Sequence, residues 1–395
     1  MGNIVLLGLI SFFTDVSTEM VYPLIPLYLT TVFGATPALI GLIEGIAESL
    51  ASLLKVFSGY VSDRFQRKRR LAFIGYALGM VYKLALLVAG SWGGVLAARM
   101  VDRIGKGIRT APRDVLVSES ADRNRMGRAF GIHKSLDMAG ASLGILLAWL
   151  LVRANAEAGG AFDYRQLFVL ALVPAVIGLA LFAFVKEKKV HVPAQTREPF
   201  WRNLAKLDGQ LRLYLLVAFL FTLGNSSNAF LLLRAKNAGY GESEVIFVYL
   251  VYNVVASLLA IPMGHRSDRI GRKRLLVAGY IAFSLVYLGF AVATGRLTIL
   301  LCFALYGVYT AMVAGVERAY IAQIAPPALK GTMLGLHSTL VGIALLPASV
   351  IAGLLWNGFG ATAPFFFGAG MSLTAALILQ FFMRERRAPV DACGA

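Results

Sequence analysis

Charge is scarce in this chain: only 15% of its 395 residues are Asp, Glu, Lys or Arg, where a typical soluble domain carries roughly 25%. Cysteine and histidine are scarcer still, with two and four copies. Cys302 falls in an apolar run and Cys393 near the end of the chain, so no disulfide framework or metal centre is expected. No G-x-x-x-x-G-K-[ST] phosphate loop occurs, which argues against a pump driven by its own nucleotidase. Long polar stretches are missing too. The longest, Lys186 to Leu211, is too short for a soluble catalytic domain. What is abundant is apolar: 58% of the residues are hydrophobic, the composition of a membrane protein.

A helix needs about 20 apolar residues to cross the roughly 30 Å hydrocarbon layer. Twelve such spans are read at 4–30, 37–62, 71–90, 93–117, 126–153, 165–185, 212–234, 243–264, 275–294, 297–322, 331–355 and 363–383. The first is too long for a secretory signal and lacks its cleavage pattern, so it is expected to be a retained span. Basic residues outnumber acidic ones by 38 to 21, a net charge of +17. In a soluble chain that excess would suggest nucleic acid; here it sits in short loops and orients the protein instead. The loops at Arg64–Arg70, Arg123–Arg128, Lys186–Arg212, Arg266–Arg274 and Arg384–Arg387 share one side, while those near Gly34, Gly90, Ala156, Gly239, Gly295 and Gly360 are poor in basic clusters. The expectation is a multi-pass protein of the inner (plasma) membrane with both termini cytoplasmic. Its domains are read as a six-helix bundle at 1–185, a cytoplasmic linker at 186–211, a second bundle at 212–383 and a tail at 384–395.

The halves repeat. Gly59-Tyr-Val-Ser-Asp63-Arg64 aligns with Gly264-His-Arg-Ser-Asp268-Arg269, Ala51-Ser-Leu-Leu with Ala256-Ser-Leu-Leu, and Gly127, Gly131 and His133 with Gly331, Gly335 and His337, in near-constant register. The loop pattern G-x-x-x-D-R-x-x-R-K, present in both copies, resembles the signature loop of the major facilitator superfamily. The second copy, with Gly271, fits fully; the first carries Gln66 where the family has glycine. This resemblance implies an all-α fold of twelve transmembrane helices in two pseudo-symmetric six-helix bundles. It also implies a gating latch in which the loop aspartate engages an arginine on the fourth span of its half. Arg113 and Arg318 stand at matching distances from Asp63 and Asp268, so the expected latch is Gly59, Asp63, Arg64 and Arg113, with Gly264, Asp268, Arg269 and Arg318 as its repeat.

Ionised groups inside a bilayer are costly unless paired or wet, and they mark function by default. The first-half spans hold seven acids, Asp15, Glu19, Glu44, Glu48, Asp102, Asp114 and Asp137, against eight bases, Lys55, Lys83, Arg99, Arg103, Lys106, Arg109, Arg113 and Lys134. Spacings of three, four and seven place Asp15 with Glu19, Glu44 with Glu48, Glu48 with Lys55, Arg99 with Asp102 and Lys106, and Lys134 with Asp137 on shared helix faces. Such near balance describes a self-neutralising network around a central cavity, switched by one proton. Asp15/Glu19 and Glu44/Glu48 are read as the pairs where protons bind. Arg99 is expected to keep Asp102 as its built-in acidic partner.

The second half has hydrogen-bonding groups where the first has charge: Glu48 aligns with Asn253, Glu44 with Tyr249, and Glu19 falls near Ser227. Asn225, Asn228, Tyr249 and Asn253 are assigned to the second half's wall of a substrate cavity, while Glu317 is expected to be neutralised by Arg318. The prolines of Tyr22-Pro23-Leu-Ile-Pro26 predict a kink beside the acidic pair. The G-x-x-x-G-P signature of drug/proton antiporters is incomplete, because Gly144 is followed by Ile145. The sequence therefore predicts a secondary active transporter, working by alternating access as a proton-coupled antiporter that exports a small solute. Protonating Glu19 or Glu48 would free a base such as Arg99 or Lys106 for new partners. Uptake of an organic anion, and transport of a metal ion or metal chelate, are the alternatives. No enzyme chemistry, cofactor, bound metal or nucleic-acid partner is expected; the partners are the solute, protons and the bilayer, and the protein is expected to be a monomer.

Overall fold

A computed structural model describes residues 2–65, 68–120, 126–157, 162–187, 209–313, 315–324 and 330–383; the side chains of 55–65, 118, 126–131, 268, 318, 322, 330–332, 334 and 335 lie outside the description. In lipid the backbone must satisfy its own hydrogen bonds, and every regular element among the described residues is helical. Twelve spans result. In chain order they are α1 (Gly2–Val21) with α2 (Ile25–Phe33), α3 (Pro37–Phe65), α4 (Lys68–Val88), α5 (Trp92–Ser120), α6 (Met126–Glu157), α7 (Tyr164–Leu181), α8 (Gly209–Gly224) with α9 (Ala229–Asn237), α10 (Glu242–Ile270), α11 (Arg272–Val292), α12 (Arg296–Val313) with α13 (Val316–Ile324), α14 (Lys330–Phe359) and α15 (Ala363–Phe382).

Eleven of the spans are long and apolar enough to cross a bilayer by composition. The twelfth, α5, carries too many charges to count as apolar and is held between α3 and α4. Small residues permit that contact: a Cβ on Gly105 would lie 2.6 Å from the carbonyl oxygen of Gly75, and one on Gly107 would meet Leu54. Outward faces carry exposed apolar residues such as Leu258 and Phe381, at 70% and 75% exposure, which suits a lipid boundary.

Two helix breaks occupy corresponding places in the halves. The first span turns through a 3-10 segment, Tyr22–Leu24, with Pro23 at its start, so the expected kink is present. In the seventh span the helix stops at Gly224 and resumes at Ala229, leaving Asn225 to Asn228 to present their side chains at mid-span. The signature-loop glycine of the second copy also has a conformational reason: Gly271 sits at φ +96°, a backbone angle that side-chain-bearing residues rarely adopt. Its counterpart Gln66 lies outside the described residues, as does most of the linker.

The second half has an aromatic core, with Phe221 stacked on Tyr280 at 4.0 Å and Phe283 on Tyr287 at 3.9 Å between ring centroids. Arg234 fastens α9 to the end of α11. Its guanidinium donates to the carbonyl oxygens of Phe290 (2.9 Å) and Ala293 (2.7 Å) and to Asn237 Oδ1 (2.8 Å). A cation at a helix C-terminus suits both the free carbonyls and the dipole. Arg234→Met is expected to cost about 2–4 kcal/mol by stranding those acceptors, read as a lowered midpoint of thermal unfolding in detergent; an unchanged midpoint would show that the clamp is energetically idle.

Candidate functional site

The predicted charged residues lie on α1, α3, α4, α5 and α6, with α5 packed against α3 and α4 and α1 against α6. Arg99 and Lys83 are fully buried, and Glu44, Asp102, Arg103 and Arg109 nearly so. At the centre, Arg99 Nη2 donates to both carboxylate oxygens of Glu44 at 2.7 Å. Asp102 lies farther off, 3.9 Å from Arg99 Nη1, and 3.4 Å from Arg103 Nε. The main partner of Arg99 is therefore Glu44 on the neighbouring helix. Asp102, one turn along on the same helix, takes second place because its carboxylate is divided between two guanidinium groups.

Glu44 and Glu48 engage different arginines. Glu48 reaches Arg103 Nη1 at 2.9 Å, one turn further along, so α3 and α5 are laced by two parallel ion pairs. Tyr22, at the helix break, lies beneath both guanidinium groups, 5.3 Å from Arg99 and 5.9 Å from Arg103. Lys83 donates to Thr18 Oγ1 at 3.2 Å. Lys106 is exposed and makes no ion pair among the described residues, while one carboxylate oxygen of Glu19 is buried without a hydrogen bond.

Toward the basic-loop end, Lys134 holds Asp137 at 2.7 Å, as its spacing implied. Asp15 has both Asp137 of α6 and Glu19 of its own helix among its electrostatic neighbours. One turn nearer the loop, Ser11 Oγ lies 3.0 Å from both Tyr76 Oη and His133 Nε2.

Across the molecule, the second half contributes neutral groups. Ser227 donates to Glu44 Oε2 at 3.2 Å, and Tyr22 meets Tyr249 at 6.1 Å. Asn225 donates to Tyr309 Oη (3.2 Å), and Tyr306 donates to Asn228 Oδ1 (3.1 Å). Asn253 turns back to the carbonyl of Tyr249 on its own helix at 2.9 Å. Glu317 accepts from Tyr280 Oη at 2.7 Å, a partner other than the neighbouring Arg318, whose side chain is outside the description. Among the described residues no three of His, Cys, Asp and Glu converge on a metal position.

Most of the latch falls outside the described side chains: Gly59, Asp63, Arg64, Asp268 and Arg318. Arg113 is described, and it bonds Asp114 at 2.9 Å and lies 4.0 Å from Asp137. Among the described residues Gly264 makes no close helix approach, since a Cβ there would meet nothing within 4 Å, and Arg269 is exposed. At the opposite end the halves are joined. Thr31 and Tyr164 both donate to Glu242 Oε1 (3.4 and 2.8 Å), Lys236 to Thr31 (2.9 Å), and the Ala38 amide to Asn357 (3.4 Å). Backbones of α3 and α14 touch there, at Gly41 against Ser349 and Gly353 against Ala38.

Sequence reasoning missed Tyr76, Ser11 and Thr18 as members of the network, because their hydroxyls have no sequence spacing that ties them to charges on distant helices; Tyr22 was singled out only by the two prolines beside it, and Ser227 only by its repeat position near Glu19.

The sequence profile described as Major Facilitator Superfamily matches residues 7–233 and 213–393. An uncharacterised MFS-type transporter of Methanocaldococcus jannaschii is 36% identical over 385 residues, covering 96% of this chain and 94% of its own. A gentisate transporter of Corynebacterium glutamicum is 24% identical over 398 residues, covering 97% and 88%. Among solved structures, a nucleoside transporter superposes with a TM-score of 0.82 at 12% identity, covering 97% of this chain and 100% of that one. A D-xylose–proton symporter does so at 0.77 and 16%, covering 97% of each. With twelve helical spans in two related halves, a charged seam between helices and matches along its full length, this chain belongs to the major facilitator superfamily of membrane transporters.

Proposed function

We propose that the protein is a proton-coupled antiporter that expels a small solute by alternating access. The observation that carries this reading is the buried ion network of the first half, joined to the second half through Ser227. Opposed charges at this depth are costly to keep and easily re-paired, so a proton or a solute that takes one partner changes which conformation is favoured. By linkage, each then alters the affinity for the other. The joined end carries the loops poor in basic clusters, and the basic loops belong on the cytoplasmic side. The conformation described is accordingly closed to the outside, both termini face the cytoplasm, and the working unit is a monomer in the plasma membrane.

The sites assigned to coupling are Asp15, Glu19, Glu44, Glu48, Asp102 and Asp137 with Arg99, Arg103, Lys106 and Lys134. Asn225, Asn228, Tyr249 and Asn253 form the facing wall. A second reading, uptake of an organic anion, is favoured by the exposed ammonium of Lys106 and by the relative named for gentisate, an aromatic acid.

Flux in proteoliposomes with an imposed pH gradient, screened against organic cations, organic anions and divalent metals, separates these. Antiport predicts one solute class driven against the proton gradient, with proton movement stimulated by that class and reduced by Glu48→Gln. Proton movement indifferent to every solute and to that substitution would overturn it.

A further inference from the structure

Three buried cations of the first half have an anion of their own. Lys68 bonds Glu119, Arg99 bonds Glu44 and Arg103 bonds Glu48. Two others differ. Lys83 is fully buried and Arg109 is 6% exposed, yet no ion pair reaches either among the described residues.

These two share one face of α4. The Arg109 guanidinium lies 4.7 Å from the Tyr76 ring centroid, and its Nη1 has no hydrogen-bond partner among the described residues. A Cβ on Gly79 would stand 3.4 Å from that same Nη1. Lys83 follows Gly79 by one helical turn, on the same side.

An ammonium has three hydrogen-bond donors. Lys83 Nζ reaches one acceptor, Thr18 Oγ1 of α1, at 3.2 Å. An isolated buried charge is so costly that a group able to shed it does so. A guanidinium keeps its proton in any protein setting, whereas a buried lysine gives its proton up readily. Of two neighbouring cations without an anion, Lys83 is therefore the one that yields its charge.

The acids nearby are committed elsewhere or stand farther off. Asp102 of α5 lies 3.4 Å from Arg103 and 3.9 Å from Arg99, and Glu44 and Glu48 of α3 are held by the same two arginines. Asp15 of α1 and Asp102 act on Lys83 only from beyond ion-pairing distance, and Arg103 and Arg109 of α5 oppose them. On α7 the charged residue is Arg165, exposed at the helix start. The other charged residues of α4, Lys68, Arg69 and Arg70, lie at its basic-loop end.

We infer that Lys83 is a neutral amine in this conformation and that it carries the exchanged proton. The proton it lacks here has left toward the cytoplasm, and it is regained when the molecule opens to the outside. The carrier role rests on the antiport reading; the neutral amine does not.

Solid-state nitrogen NMR of lysine-labelled protein in lipid nanodiscs at neutral pH tests the amine without knowledge of the solute. One Nζ signal is expected at the shift of a free amine, apart from the ammonium signals. Lys83→Met should abolish it and Lys106→Gln leave it in place. Thr18→Val, which keeps the lysine and removes its hydrogen bond, should displace it, so the assignment does not depend on the Lys83 variant folding. A spectrum with no amine signal, or with one that Lys83→Met and Thr18→Val leave unchanged, overturns the inference. Spin labels at Thr31 and Asn357 read the carrier role: the change of their distance with pH should be lost in Lys83→Met. An amine signal with a pH response that survives Lys83→Met would keep the neutral lysine and remove it as carrier. An amine signal with distances that ignore pH in the unmodified protein would keep the neutral lysine and remove the antiport reading.

Discussion

Glu44→Ala is expected to cost about 3–5 kcal/mol of stability and to abolish transport, because it strands the guanidinium of Arg99 in a fully buried position. The penalty comes from the charge left behind more than from the attraction lost. Arg99 Nε and Nη1 already lack hydrogen-bond partners, and its next ion-pair partner, Asp102, is shared with Arg103. The paired substitution Glu44→Gln with Arg99→Gln removes both charges and should restore most of the stability while leaving transport absent. Thermal unfolding in detergent, combined as a double-mutant cycle, measures this. A single Glu44→Ala that unfolds like the parent would mean that the pair is wet and weak, contrary to its burial.

Gly41→Val acts on the other large lever, the equilibrium between conformations. At Gly41 a side chain would be driven into the carbonyl oxygen of Ser349, so α3 and α14 must separate. Overpacking of this kind costs about 1–3 kcal/mol, and each 1.4 kcal/mol is a tenfold change in a population. The joined end should therefore open about 5-fold to 140-fold more often. In a cysteine-free background, a cysteine in place of Asn357, beside the Ala38 contact, should react correspondingly faster with a membrane-impermeant maleimide. An unaltered rate would show that this contact does not hold the end shut.

Much of the architecture was legible in the sequence, and the reasons are local. Twelve spans could be counted because a bilayer imposes a length on each, eleven of them apolar by composition, and the two prolines after Glu19 announced the break at Tyr22–Leu24. Periodicity also placed Lys134 with Asp137, since residues three apart on a helix are neighbours. Where the reading failed, it failed across helices. It paired Asp102 with Arg99 on α5, an ion pair that is present at 3.9 Å, but missed Glu44 of α3, which is the closer partner. Helix periodicity gives the face a residue occupies, but not which face lies opposite or how the two are registered along the axis. That register is set here by close backbone contacts such as Gly140 on Phe12 and Gly105 on Gly75. The second half shows the same limit: its asparagines stood out as polar residues in apolar runs, but their tyrosine partners arrive from a different span.

The account rests on charge re-pairing that moves one half against the other. Spin-label distances between the halves, measured in nanodiscs at acid and alkaline pH, test it most directly, with one label pair at Thr31 and Asn357 and another across the basic-loop end at Asn3 and Gln210. The account predicts reciprocal changes, one pair lengthening as the other shortens, and their loss when Lys83 is replaced by Met. Distances that ignore pH at both ends in the unmodified protein would contradict it.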